Sequence, residues 1–129
     1  MSDTSYSGKS LASKLGFAPG DEVYVESTPD WYSDFADESG LELTPGLPAT
    51  HVHLFCETKA DLARFLKDED ISEIEKSLWL SWPKKASGVK ADIGEQDLRD
   101  ALLPLGWVDV KVAAVDDIWS GLKFLRRKH

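Results

Sequence analysis

The chain has 129 residues, of which 42% are hydrophobic and 29% are charged, a composition typical of one globular domain with one core. Its formal net charge of −8 argues against general binding of nucleic acids, because phosphates repel an acidic surface. The single cysteine, Cys56, excludes an internal disulfide and favours a reducing compartment.

The ends of the chain indicate no export or membrane signal. The first ten residues lack the apolar core of a signal peptide, and no apolar run approaches the roughly 20 residues that span a bilayer. We therefore predict a cytoplasmic protein with no membrane partner. Residues 1–8 are small and polar, and we predict that they are disordered.

The first half of the chain reads as short helices alternating with strands. Leu11 and Leu15 lie four residues apart, as on one helix face. Thr28 is the expected N-cap of the second helix, Gly40 its end, and Trp31 and Phe35 its buried stripe. In chain order we predict helix 10–16, strand 21–27, helix 28–40 and strand 41–43.

The second half continues the alternation with longer elements. A helical pattern over 58–77 contains the charged run 67–70, which should split it into two pieces. Asp92 is the expected cap of a later helix, with Glu95 three residues on. In chain order we predict strand 51–57, the helical segment 58–77, strand 78–82, helix 92–106 and strands 107–115 and 122–127.

This order of elements determines the predicted fold. Strands separated by helices require crossover connections and give a mostly parallel sheet. The last two strands are joined by a short turn and should pair as an antiparallel hairpin. We predict an α/β protein: residues 9–129 form one Rossmann-like three-layer sandwich with five or six strands.

The C-terminal half is similar to that of class I methyltransferases. The resemblance rests on "LWLSWPKK", "DLRDALLPLGWVDVKVAAV" and "GLKFLRR". It implies a glycine-rich cofactor loop after the first strand, but "VYVESTPDWYSDF" stands there, and no glycine occurs between Gly20 and Gly40. One strand–helix unit is also missing. We therefore predict no cofactor and no catalytic residues.

A second resemblance covers nearly the whole chain. "SLASKLGFAPGDEV", "LWLSWPKKASGV" and "VDVKVAAVDDIWSGLKFLRR" together resemble a family of small bacterial proteins known as a domain of unknown function. This resemblance implies the fold boundaries and supplies no activity.

Four other features carry weak functional signals. "SGKS" at residues 7–10 lacks the earlier glycine and the strand of a phosphate-binding loop. His51 and His53 share a strand face, but no third metal ligand is evident nearby, so we expect histidines near solvent and no metal site. Cys56 points to the other face without an indicated base. The acidic run 67–75 lacks calcium-loop spacing.

The best candidate site follows the strand at 78–82. In an open parallel sheet, ligands lie outside the carboxyl ends of the strands. Lys84 and Lys85 should lie there, followed by a turn at Ser87 and Gly88, and the segment 115–121 should reach the same edge. The predicted ligand-binding residues are Trp31, Trp82, Lys84, Lys85, Ser87, Gly88, Asp116, Asp117 and Trp119. Alternatively, the lysines pair with Asp116 or Asp117 and the tryptophans cap the core.

Three functions remain open at this point. The first is a non-catalytic binding module for an anionic small molecule or an acidic protein partner, with the lysines as charge partners. The second is an enzyme of unknown reaction at the same edge, with Asp116 or Asp117 as general base. The third is a protein–protein interaction protein. The sequence leaves the oligomeric state open.

Overall fold

The computed structural model describes residues 9–127. Within these residues, four α-helices lie at Lys9–Leu15 (α1), Tyr32–Glu38 (α2), Lys59–Asp68 (α3) and Glu95–Leu102 (α4). Six strands lie at Glu22–Glu26 (β1), Glu42–Thr44 (β2), Ala49–Phe55 (β3), Ile74–Pro83 (β4), Trp107–Ala114 (β5) and Trp119–Arg126 (β6). The predicted disorder of residues 1–8 lies outside the described residues.

The six strands form one sheet in the order β2-β1-β3-β4-β6-β5. The pairs β1–β2, β1–β3 and β3–β4 are parallel. Strand β6 is antiparallel to both β4 and β5. The Rossmann-like prediction is confirmed, including the C-terminal antiparallel hairpin, whose second strand lies inside the sheet and leaves β5 at the edge.

Helices cover both faces of the sheet and enclose two clusters of buried side chains. On one face, α3 and α4 pack on β3, β4 and β6 through residues such as Leu62, Leu98 and Leu80. On the other face, α1 and α2 enclose Leu15, Phe35 and Trp79. Alternate residues of β1, β3, β4 and β6 belong to different clusters, as the two-residue period of a strand requires.

The predicted break of the helical segment 58–77 at the charged run 67–70 is confirmed, but the second piece is much shorter than predicted. α3 ends at Asp68, a single 3₁₀ turn follows at Ile71–Glu73, and β4 begins at Ile74. Ile74 is fully buried and pairs with Ala49 of β3. The spacing of Ile74 fits a helical period. It nevertheless belongs to β4, because β-branched residues pack well on a pleated surface.

Two predicted helix caps are also wrong. α2 begins after Trp31, with no side-chain cap, so Thr28 does not cap it. At α4, the carboxylate of Asp97 accepts a hydrogen bond from the Gly94 N–H at 2.9 Å. Asp92 instead accepts from the Lys59 N–H at 2.7 Å, so this carboxylate caps the first turn of α3. The segment before α4 is thereby fastened over the carboxyl end of β3.

No helix within residues 9–127 combines the length and the apolar character that crossing a bilayer requires.

Candidate functional site

The carboxyl ends of β4 and β5 meet at one edge of the sheet, which we call the rim. Pro83 of β4 pairs with Trp119 of β6, and the Lys84 N–H donates to the Ile118 carbonyl at 2.8 Å. The Lys84 ammonium donates to the Asp116 carbonyl at 2.9 Å. The two loops therefore lie side by side, as predicted. The Lys84 ammonium, predicted to bind a ligand or alternatively to pair with the carboxylate of Asp116 or Asp117, instead binds the backbone oxygen of Asp116.

Asp116 joins three parts of the rim. One carboxylate oxygen accepts from the N–H groups of Ile118 and Trp119, at 2.8 and 2.7 Å. The other accepts from the indole N–H of Trp31 at 2.8 Å. Because Trp31 follows β1 and Asp116 follows β5, this contact connects loops from distant strands. The arrangement holds the rim together and leaves Asp116 engaged on both oxygens.

Replacement of Asp116 tests its role in the rim. Asp116→Ala removes an acceptor from three N–H groups, and we expect the free energy of unfolding to fall by about 2 kcal/mol. Urea denaturation followed by circular dichroism measures it. Asp117 is exposed and makes no side-chain hydrogen bond within residues 9–127, so Asp117→Ala should change stability by less than about 0.5 kcal/mol. Equal losses in both variants would contradict this assignment.

The three tryptophans do not form one wall. Trp31 and Trp119 pack with the α1–α2 cluster, whereas Trp82 packs with the α3–α4 cluster. Trp82 lies three residues after Trp79 on the same strand, and the strand period therefore turns the two rings to opposite faces. The predicted site is thus divided into a hydrogen-bonded rim around Asp116 and a separate cleft beside Trp82.

The Trp82 cleft has a volume of about 570 Å³. It lies between the end of β4, the following loop and the start of α4. Its lining combines apolar side chains with charged ones, and small-molecule sites likewise combine an apolar lining with a few polar groups. The lining includes Trp82, Pro83, Lys85, Val89, Ile93 and Asp97.

The carboxylates of the Trp82 cleft are engaged by other groups. Asp92 accepts from the Lys59 N–H and Asp97 from the Gly94 N–H. Glu95 accepts from the Arg99 guanidinium. Cationic side chains thus offset the charges of Glu95 and Asp97, whereas Asp92 is held by a backbone N–H alone.

Two donors of the Trp82 cleft have no such partner. The Lys85 ammonium is exposed and forms no hydrogen bond or ion pair with any described residue. The indole N–H of half-buried Trp82 likewise has no hydrogen-bond partner within residues 9–127. A ligand that offers acceptor oxygens suits these two side chains.

The predicted turn at Ser87 and Gly88 is occupied with its own hydrogen bonds. The Ser87 hydroxyl donates to the Lys84 carbonyl at 2.6 Å and accepts from the Val89 N–H at 3.1 Å. Gly88 has a left-handed backbone (φ 81°) and ends the one-turn 3₁₀ helix Lys85–Ser87. The turn therefore shapes the loop beside the cleft and presents Lys85.

The histidines predicted near solvent are buried. His53 is fully buried, and its ring nitrogens contact the Tyr32 hydroxyl at 2.9 Å and the Ser81 hydroxyl at 2.8 Å. Burial lowers the pKa of His53 to about 3. His51 contacts Ser77 at 2.7 Å and Asp21 at 2.9 Å. The burial of both histidines was not predicted, because their strand face contains polar residues and is nevertheless covered by α1 and α2.

Sequence reasoning also missed much of the lining of the Trp82 cleft. Val89, Ile93 and Asp97 lie in a segment that was read as a turn leading into a helix. Ile93 is an isolated apolar residue between polar neighbours, and it is buried against the α3–α4 cluster. That isolated isoleucine was the available signal that the loop folds back onto the sheet.

No family model and no curated protein sequence matches the chain. The resemblance to the small bacterial family therefore stays a prediction. Solved structures do match. The magnesium protoporphyrin IX methyltransferase from Synechocystis PCC 6803 with bound SAM is 13% identical, with a TM-score of 0.57 over 92% of this chain and 77% of that one.

Two further structures show the same similarity. A putative type 11 methyltransferase from Sulfolobus solfataricus is 12% identical, with a TM-score of 0.54 over 98% of this chain and 95% of that one. The DhpI–SAH complex is 13% identical, with a TM-score of 0.55 over 86% of this chain and 78% of that one. At such identities the similarity concerns the fold alone, and this chain has a Rossmann-like, methyltransferase-like fold.

Proposed function

We propose that this chain is a non-catalytic binding protein that holds an anionic small molecule in the Trp82 cleft. The observation that carries the proposal is the uncommitted Lys85 ammonium beside half-buried Trp82, in a cleft of about 570 Å³. A charged hydrogen bond from Lys85 fixes the anionic group, and the Trp82 ring covers the body of the ligand. A concave site of this size favours a small molecule over a protein surface.

A methyltransferase-like enzyme is the second candidate, because several structures of similar fold contain SAM or SAH. The segment after β1 argues against it. Residues 27–31 contain no glycine, and Ser27 takes a left-handed backbone (φ 58°) there. The Trp31 indole N–H donates a hydrogen bond to the Asp116 carboxylate across this edge of the sheet. A cofactor bound there would need to approach the backbone closely.

A thermal-shift screen with carboxylates and phosphate monoesters, followed by calorimetric titration of the best compounds, tests the proposal. A ligand at 100 times its Kd should stabilise the folded chain by about 2.7 kcal/mol. SAM and SAH are included as a separate arm. Tight binding of SAM that is insensitive to Lys85 would favour the enzyme candidate.

The decisive variant is Lys85→Gln, which removes the positive charge that Lys85 contributes to the cleft and keeps a long polar side chain. We expect the affinity for the anionic ligand to fall at least about tenfold, as the loss of a charged hydrogen bond implies. Lys67→Gln is the matched control, because Lys67 is exposed on α3 and lies away from the cleft. Equal affinities in the two variants would contradict the proposal.

A further inference from the structure

An apolar groove lies between α3 and α4, next to the Trp82 cleft. It has a volume of about 340 Å³. Leu62 and Ile93 are buried residues of its lining, whereas Ala63 is exposed and Leu66 and Ala101 are half-buried. We call it the α3–α4 groove. Its apolar lining would gain from contact with a hydrocarbon surface.

The groove and the cleft adjoin each other. Ile93 and Asp97 line both. The boundary between them carries the ion pair between the Lys59 ammonium and the Asp97 carboxylate, 3.7 Å apart. The Lys59 side chain is largely solvent-accessible and the Asp97 side chain is partly so, with exposed fractions of 64% and 37%. An exposed pair of this kind is weak, so a ligand that passes between cleft and groove displaces little.

Small side chains keep the groove open. Ala63 belongs to α3 and Ala101 to α4, and both line the groove. A leucine at either position would place three more carbon atoms into this space. The groove contains three charged residues, Lys59, Asp97 and Asp100. Its cation, Lys59, is paired with Asp97. The groove therefore offers hydrocarbon contacts, and the free positive charge lies in the cleft at Lys85.

We propose that the ligand is amphipathic: its anionic head binds at Lys85 and Trp82, and its unbranched apolar chain extends along the α3–α4 groove. This inference rests on the proposed function and adds the chemical class of the ligand. It assigns a role to two neighbouring surfaces that differ in character, one with a free ammonium and one with an aliphatic lining.

The test varies the length of the ligand's hydrocarbon chain. Butyrate, octanoate and dodecanoate are titrated into the full chain below their micelle concentrations, with isothermal calorimetry as the readout. Burial of hydrocarbon should tighten binding by up to about fourfold per added methylene until the groove is filled. Affinities that do not change with chain length, but still require Lys85, would overturn the amphipathic ligand and leave the anion-binding proposal standing. No binding of any carboxylate or phosphate monoester would remove both.

Variants that fill the groove test whether the ligand's hydrocarbon chain binds there. Ala63→Leu and Ala101→Leu should reduce the affinity for dodecanoate at least tenfold and leave butyrate unchanged. Ala60→Leu is the matched control, because Ala60 is exposed on α3 and does not line the groove. Circular dichroism checks folding, and Ala63→Leu at an exposed position keeps the test valid if Ala101→Leu unfolds. Unchanged dodecanoate binding in folded Ala63→Leu would overturn the inference.

Discussion

Trp79→Ala is expected to lower the free energy of unfolding by about 3–5 kcal/mol, the usual cost of removing a large aromatic side chain from a core. Trp79 is fully buried in the middle of β4. Its indole N–H donates to the Leu15 carbonyl at 2.9 Å and so fastens the end of α1 to the sheet. The loss therefore combines a cavity with an unpaired carbonyl.

Trp79→Phe separates the two contributions. Phenylalanine keeps most of the ring volume and removes the N–H, so we expect a smaller loss of about 1–3 kcal/mol. Urea denaturation with an unchanged m value measures both. Gly121 leaves room for this ring, since a Cβ atom there would lie 3.0 Å from Trp79 Cε3. Equal losses in the two variants would show that packing of the ring contributes little.

Most of the fold was predictable because the strands and helices carry clear local signals. Val23 and Val25 alternate with polar neighbours in β1, and the strand forms where predicted. Leu98 and Leu102 show the helical period of α4 and are fully buried. The order of helices and strands then determines the parallel sheet, since crossovers permit few other arrangements.

The errors come from contacts between residues distant in sequence. The spacing of Ile74 fits a helix, but Ile74 pairs with Ala49 of the neighbouring strand. Asp92 has the form of an N-cap of its own helix and caps α3 instead. In each case the local pattern allowed two structures, and a tertiary contact selects between them.

The candidate site was only partly predictable for the same reason. Topology brings Lys84 and Asp116 together, and the sequence order alone implies this. The direction of each side chain depends on register. Trp82 turns to the α3–α4 face and Trp119 to the other, so one expected pocket becomes a hydrogen-bonded rim and a separate cleft.

Acidification from pH 7 to pH 5 is expected to destabilise the folded chain by about 2 kcal/mol through His53 alone. Burial lowers the pKa of His53 from 6.5 to about 3, so the folded state stays neutral while the unfolded state takes up a proton below pH 6.5. Stability is therefore full above pH 6.5 and falls by up to about 1.4 kcal/mol per pH unit until pH 3. Burial also lowers the pKa of His51, which adds to the fall.

Carboxylates such as Asp61 affect stability at lower pH, so their contribution can be separated from that of the histidines. Hydrogen bonds from neighbouring N–H groups lower the pKa of Asp61 despite partial burial, so its contribution is lost only as pH falls below about 4. Urea denaturation at pH 7, 6 and 5 thus isolates the histidines.

Replacing the imidazole identifies the histidine responsible. His53→Gln keeps a polar side chain between Tyr32 and Ser81 and removes the titrating group. Its stability should be lower than that of the parent at pH 7, but the fall between pH 7 and pH 5 should be smaller by about 2 kcal/mol. Proton NMR of the parent gives a direct check, because the His53 ring signal should stay constant down to pH 5. A midpoint near pH 6.5 for that signal would show that the ring is protonated in the folded state, and the buried neutral imidazole would then be wrong.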